Sequence, residues 1–278
     1  AEDRIFYYRD AVYSNYSDDS FRQAMAFQRE VINNIIPVVE PDLIHCNDWM
    51  TGLIPAAARR MGIPCLFTVH NIHTQKATLD AIEDRGIDAA PFWQNLYFER
   101  PPYNYEESRS TNLVDQLASG IFAAHFINTV SPTFLREVVD GQHSFVPANI
   151  RQEMANKYHS GCATGILNSP DEDCNPEIDQ YLEIKYNADT HVHAKQVNKI
   201  AFQARTGLKV DQNAPLFFWP SRLDPVQKGC SLLSDIMYNV VHKYWDAGLQ
   251  IAIVANGSFQ KVFRDIVAFH DFYERVTV

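Results

Sequence analysis

Short apolar runs alternate along this chain with stretches of helical periodicity, and few folds accept that alternation. Residues 42–46, D-L-I-H-C, read as a strand. Residues 49–61 follow as a helix, with Asp48 placed to cap it. I-P-C-L-F-T-V at 63–69 is the next strand. This β-α-β order signals a parallel sheet covered by helices. Residues 125–130 and 163–167 continue the strand series. Between them Ser131 and Pro132 open a helix, as N-cap and first helical residue. Residues 20–40 have Phe21, Met25, Val31 and Ile35 at helical spacing. Residues 112–124 also read as a helix, and residues 74–115 form a less regular aromatic excursion with short helices.

N-S-P-D-E-D-C-N-P at 168–176 is turn chemistry throughout and marks a domain boundary. The expected division is residues 1–167 and 168–278. Beyond it, helices are predicted at 177–186 and at 190–206, the latter ending at Gly207. A second α/β series follows, with strands at 215–219, 249–255 and 275–278 and helices at 226–245 and 258–269.

The second series opens on L-F-F-W-P-S-R-L-D-P-V-Q-K-G at 216–229. An apolar strand breaks at Pro220, with Arg222 and Lys228 at the break and a helix after Gly229. Ligands of open α/β sheets bind beyond the carboxyl ends of the strands. A planar Arg and a point-charge Lys there suit a phosphate; the alternative is two ordinary solvated cations in a loop.

The 278 residues are 46% apolar and 21% charged, enough for a sizeable core. A net charge of −10 argues against nucleic acid as a partner, which needs a basic face, but not against a nucleotide. No run approaches the ~20 apolar residues of a membrane span, and no leader pattern opens the chain. The five cysteines form no C-x-x-C pair, which suggests reduced thiols in a cytoplasm rather than a zinc site or a disulfide framework. The chain opens without Met and closes on a strand, so an interior piece of a longer protein is expected.

Polar groups collect where strands end: His45, Asn47 and Asp48; His70, Asn71, His73 and Gln75; Ser131; Asn168; Arg222 and Lys228. If every strand is parallel, these share one sheet edge. Each has a plain structural reading as well: Asp48 and Ser131 as helix caps, Asn168 as a turn residue, the histidines as hydrogen-bonded scaffold. His45, Asp48, His70 and His73 also permit a metal-dependent hydrolase. His191 and His193 sit two apart on a predicted helix, face away from each other and read as solvated.

Five segments, taken together and in order, resemble the glycogen and starch synthase family. They are D-L-I-H-C-N-D-W-M-T-G-L-I-P, T-V-H-N-I-H-T-Q, N-T-V-S-P-T-F-L-R-E-V, G-I-L-N-S-P-D-E-D-C-N-P-E-I-D-Q-Y-L and R-L-D-P-V-Q-K-G. The resemblance implies the GT-B architecture, two Rossmann-like parallel-sheet domains facing a cleft, each incomplete in this chain. It implies transfer of glucose, with retention, from ADP-glucose or UDP-glucose to the non-reducing end of an α-1,4-glucan. By motif position, His70 would contact the donor glucose near its 6-hydroxyl, Asp48 and Asn168 would line the glucose and acceptor side, and Arg222 and Lys228 would bind the diphosphate. No metal and no resident cofactor are implied; the nucleotide sugar is a co-substrate.

The chain departs from the family pattern in places. Arg222 and Lys228 are six apart (228 − 222) where R-L-x-x-Q-K-G puts them five apart. Asn47 replaces the second His of H-x-H-D-W, N-S-P-D replaces N-G-[VI]-D, and Lys76 replaces the Gly after Gln75. The family's K-x-G-G-L and E-P-x-G-L segments do not occur in these 278 residues. The piece alone is therefore expected to be inactive and, with unpaired strand edges, to aggregate. A non-catalytic nucleotide-sugar or glucan-binding module is the competing reading.

Overall fold

A computed structural model describes residues 5–6, 17–224, 228–257 and 259–278. The chain divides into two compact units, Ala1–Ser169 and Pro170–Val278.

In the first unit α1 (Ser17–Glu30) runs through a π-helical turn, Val31–Ile35, into α2 (Ile36–Val39). Strand β1 (Ile44–Asn47) is followed by a 3₁₀ turn, Trp49–Thr51, and α3 (Ile54–Arg60). The single helix predicted over 49–61 is thus two pieces, and Pro55 sits in the first turn of the second, where its missing N–H costs nothing. Strand β2 (Cys65–Val69) leads into the aromatic excursion, with β3 (Lys76–Ala77), α4 (Leu79–Glu83), α5 (Tyr105–Thr111) and β4 (Val114–Asp115). Next come α6 (Gln116–Ala123), β5 (Phe126–Thr129), α7 (Pro132–Val139), α8 (Ala148–His159) and β6 (Ala163–Gly165).

Among the described residues β1, β2, β5 and β6 form one parallel sheet in the order β1-β2-β5-β6. Phe67, Leu53, Leu117, Ile121 and Ile127 are fully buried in its core. Burying each such side chain stabilises the fold by about 1.5–3 kcal/mol. Cys46 and Cys65 meet in this core with sulfurs 3.7 Å apart, and that contact, with burial, pushes the Cys46 thiol well above its usual range.

Residues 112–115 are not helical, against expectation. Val114 and Asp115 pair antiparallel with Lys76 and Ala77, and the Asp115 carboxylate caps α6 by accepting the Ala118 N–H. Ser131 caps α7 as expected, its hydroxyl accepting the Phe134 N–H at 3.1 Å. Helix α8 went unread because only Ile150 and Met154, four apart, are buried on it, too little periodicity to detect.

The second unit holds α9 (His191–Thr206), β7 (Leu216–Arg222), α10 (Cys230–Lys243), β8 (Gln250–Asn256), α11 (Gln260–His270) and β9 (Val276–Thr277). Its strands are parallel in the order β7-β8-β9. The helix predicted over 177–186 is absent; the segment turns instead, with Asn198 taking both the N–H and the C=O of Ile184. Helix α9 ends at Gly207 in the left-handed region, φ 76°, and His191 and His193 are exposed on it. The predicted starts of α10 at 226 and α11 at 258 lie outside the described residues. Nor does β7 break at Pro220: Pro220 pairs with Val254 and the strand continues to Arg222. Among the described residues β7 pairs only with β8, and the missing N–H of Pro220 faces away from that partner.

Two glycines set how closely the first unit packs. A Cβ on Gly120 would lie 2.3 Å from the Phe67 ring, so α6 rests directly on β2. A Cβ on Gly52 would lie 1.9 Å from the carbonyl oxygen of Gln116, which fixes the turn after β1 against the start of α6. Gly52→Ala and Gly120→Ala should each cost about 1–3 kcal/mol by overpacking. Gly52→Ala should be the worse, because a backbone carbonyl cannot rotate away as a side chain can. Urea denaturation of the two variants checks both the cost and the order.

Candidate active site

Parallel pairing in register aligns Asn47 on β1 with Thr68 on β2, and Thr68 with Asn128 on β5. His45, two residues before Asn47, projects to the same face of the sheet. A hydrogen-bonded line crosses this face: Thr68 donates its hydroxyl to Asn128 Oδ1 at 2.6 Å and meets His45 Nε2 at 2.7 Å. The threonine proton is committed to Asn128, so His45 donates. Thr68 and Asn128 are buried.

The chain leaves β1 at Asp48 and β2 at His70, side by side. Asp48 adopts φ 57° and ψ −178°, a conformation essentially reserved for glycine. Its carboxylate makes no cap bond to the turn that follows, contrary to the capping role read from the sequence. It reaches across to β2, where Oδ1 accepts the His70 N–H at 2.7 Å and Oδ2 accepts from the Asn71 side chain at 3.2 Å. His70 Nε2 lies 3.0 Å from Asn47 Oδ1. Asn71 Oδ1 accepts the His73 N–H at 2.8 Å, and the His73 ring stands edge-on to Trp49.

These side chains do not converge as metal ligands would. His45 turns to Thr68, His70 to Asn47 and His73 to Trp49. Among the described residues no three His, Cys, Asp or Glu side chains gather around one point.

Asn168 lies beyond β6 and is exposed; among the described residues no hydrogen bond joins it to Asp48 or His70. In the second unit Arg222 ends β7 opposite Asn256 and is exposed. Lys228, also exposed, immediately precedes Gly229, whose φ of 71° turns the chain into α10. The effect of the extra residue between the two cations falls on residues 225–227, outside the described residues. In the first unit Asp48 is joined to His70, with Asn168 apart from them; in the second, Arg222 ends β7 and Lys228 precedes α10. The sequence places Asn47 among the polar groups at strand ends and as a departure from the family pattern, but does not show its contact with the His70 ring. The signal was its position one residue before Asp48 at a strand end.

The excursion resolves into packing for most of its aromatics. Phe98 is buried and Trp93 packs against both Phe98 and Tyr105. Tyr105 donates to Glu83, and burial together with that carboxylate pushes its phenol up to about 12.

Burial raises the pKa of Asp48 above the ordinary 3.8, while the His70 and Asn71 hydrogen bonds pull it partly back. A carboxyl that holds its proton more tightly when folded loses stability as pH rises from 3.8 through the raised value, and contributes no pH dependence below 3.8. Asp48→Asn removes that titration. The stability difference, variant minus wild type, should therefore shift in favour of the variant across this window and stay flat below it. Urea unfolding of both proteins at a series of pH values reads the difference directly.

A family model described as the starch synthase catalytic domain matches residues 1–150. Among solved structures the chain is similar to the catalytic domain of starch synthase IV from Arabidopsis thaliana, solved with ADP and acarbose. The two share 24% identity at a TM-score of 0.75, over 100% of this chain and 55% of that one. This chain thus spans about half the length of that structure. A weaker similarity, 10% identity at a TM-score of 0.44 over 97% of this chain and 55% of the other, is to S. aureus MnaA in a structure with UDP. The fold is that of the GT-B enzymes, with parallel-sheet α/β units. With a family match over more than half of its length, the chain belongs to the starch synthase catalytic domain family.

Proposed function

We propose that the protein of which this chain is part transfers glucose, with retention, from ADP-glucose or UDP-glucose to the non-reducing end of an α-1,4-glucan. The observation that carries this reading is the joining of Asp48 to His70 at the carboxyl edge of the parallel sheet, within the family-matched residues. The likeness to a structure holding ADP and acarbose, a nucleotide and a sugar chain, is in keeping with it.

The roles divide by chemistry. His70, Asp48 and Asn168 serve the sugar, with His70 near the 6-hydroxyl of the donor glucose. Arg222 and Lys228 serve the diphosphate. As the glycosidic bond breaks, negative charge grows on the departing nucleoside diphosphate. Fixed cations stabilise that charge more in the transition state than in the ground state. The start of α10, directly after Lys228 and Gly229, adds backbone N–H groups of the kind that favour phosphate. In this role two cations supply what a metal ion supplies elsewhere, and no carboxylate nucleophile is assigned. Taken alone, the chain lacks the family's K-x-G-G-L and E-P-x-G-L segments, and we assign turnover to the longer protein.

The six-residue separation of Arg222 and Lys228 favours a second reading, a GT-B module that binds nucleotide sugar or glucan without turnover. Calorimetry with ADP, UDP, ADP-glucose and UDP-glucose tests the donor site. Arg222→Ala and Lys228→Ala should each weaken binding of every diphosphate ligand by about 1.5–3 kcal/mol, roughly tenfold or more. His70→Ala should weaken only the sugar nucleotides. Unchanged affinity in both cation variants overturns the diphosphate assignment. Donor binding with no glucan extension by the longer protein selects the second reading.

A further inference from the structure

Two independent contacts hold His70, one on its backbone and one on its ring. Asp48 Oδ1 takes the backbone N–H and Asn47 Oδ1 faces ring Nε2 at 3.0 Å. Asn47 is itself anchored without using its side chain. Its N–H donates to the Thr51 hydroxyl, that hydroxyl donates to its C=O, both at 2.8 Å, and its backbone lies in register with Thr68. The amide is thus presented to the ring from a fixed point.

An amide oxygen can only accept. A ring nitrogen bonded to it carries the proton, and in the neutral ring the other nitrogen then carries a lone pair. For His70 that other nitrogen is Nδ1, to which no described residue donates or accepts. A lone pair attracts a hydroxyl proton and repels a phosphate oxygen, so the same residue types arranged this way select a sugar hydroxyl over a phosphate. The family pattern has a histidine at position 47, which can give or take a proton. An asparagine does not titrate, so its influence on the ring is independent of pH. The titratable groups around the ring are Asp48 on its own backbone N–H, and His45 and His73, which are engaged with Thr68 and Trp49.

We propose that Asn47 is a positioning residue. In the neutral ring it fixes the proton on Nε2, and so leaves Nδ1 as an acceptor for a hydroxyl of the bound sugar. The identity of that sugar rests on the function proposed above, whereas the state of the ring does not.

Long-range proton–nitrogen NMR of the longer protein, with ¹⁵N-labelled histidine, tests it; His70→Gln assigns the resonance. Without ligand, and at a pH where the ring is neutral, wild type should show one tautomer, proton on Nε2. Asn47→Ala should give a mixture of tautomers, and Asn47→Asp, which keeps an acceptor oxygen, should restore the single one. The backbone anchors of Asn47 do not involve its side chain, so the variants should fold. Asn47→Ala should also bind the sugar nucleotide about three- to tenfold more weakly, the range of one neutral hydrogen bond, with affinity for the free nucleoside diphosphate unchanged. A wild-type ring protonated on Nδ1, or the same tautomer distribution in wild type and Asn47→Ala, overturns the proposal. A ring in the expected state that no sugar nucleotide perturbs counts against the glucosyltransferase reading and leaves the role of Asn47 on the ring standing.

Discussion

Parallel pairing in register between β1 and β2 is the constraint from which the candidate site follows. The register that sets Asn47 beside Thr68 brings both strands out of the sheet at the same edge, where Asp48 meets His70. A slip of one residue between β1 and β2 would turn His45 and Asn47 to the face opposite Thr68 and break the line between His45 and Thr68. The line from His45 through Thr68 to Asn128 holds three strands to this register with hydrogen bonds as well as with apolar packing.

The turn after β1 bears a local cost that packing elsewhere sustains. Asp48 occupies a backbone region costing of order 1–3 kcal/mol for a residue with a Cβ, and burial adds a penalty for its charge. Only rigid surroundings hold such a residue in place. Gly52 pressed on the Gln116 carbonyl, Leu53 fully buried and its N–H bonded to Gln28 provide them. Glycine at 48 would fit the backbone better. The aspartate instead supplies a fixed carboxylate whose oxygens order both His70 and Asn71. That exchange of stability for geometry is typical of sites that bind or react.

What could be read from the sequence divides by the range of the physics involved. The alternation of strands and helices, the Ser131 cap and the Gly207 terminus depend on local pattern, and all appear in the structure. The strand ends are local too, so Asp48 and His70 could be placed near one another before any coordinates. The direction of the Asp48 side chain could not, because capping its own helix and bridging to β2 use the same carboxylate. Tertiary contact chose the bridge. Residues 177–186 carry helix-compatible chemistry but gained no packing face, and Asn198 captured their backbone instead. Helix α8 is the converse, formed by burial of two anchors on an otherwise polar segment. Pro220 reads as a break in any strand, and only the pairing shows it to be harmless, because β7 meets just β8 among the described residues and the nitrogen of Pro220 faces away from it.

The function proposed above asks for two kinds of recognition, one for sugar hydroxyls and one for a diphosphate. Neutral hydroxyls offer no long-range attraction, so they can be read only by donors and acceptors already held in place. Asn47, Asp48 and His70 meet that condition through hydrogen bonds that leave little rotational freedom. A diphosphate is drawn in by charge over several ångströms, so exposed cations on a loop suffice, at the cost of screening by salt. The chain carries a net charge of −10, so cations for this purpose have to be local rather than spread over a basic surface. The proposed function assigns that part to Arg222, at the end of β7, and Lys228, just before α10. The proposed function assigns selectivity among sugars to the rigid strand ends of the first unit. It assigns strength of binding, and its sensitivity to ionic strength, to Arg222 and Lys228 in the second.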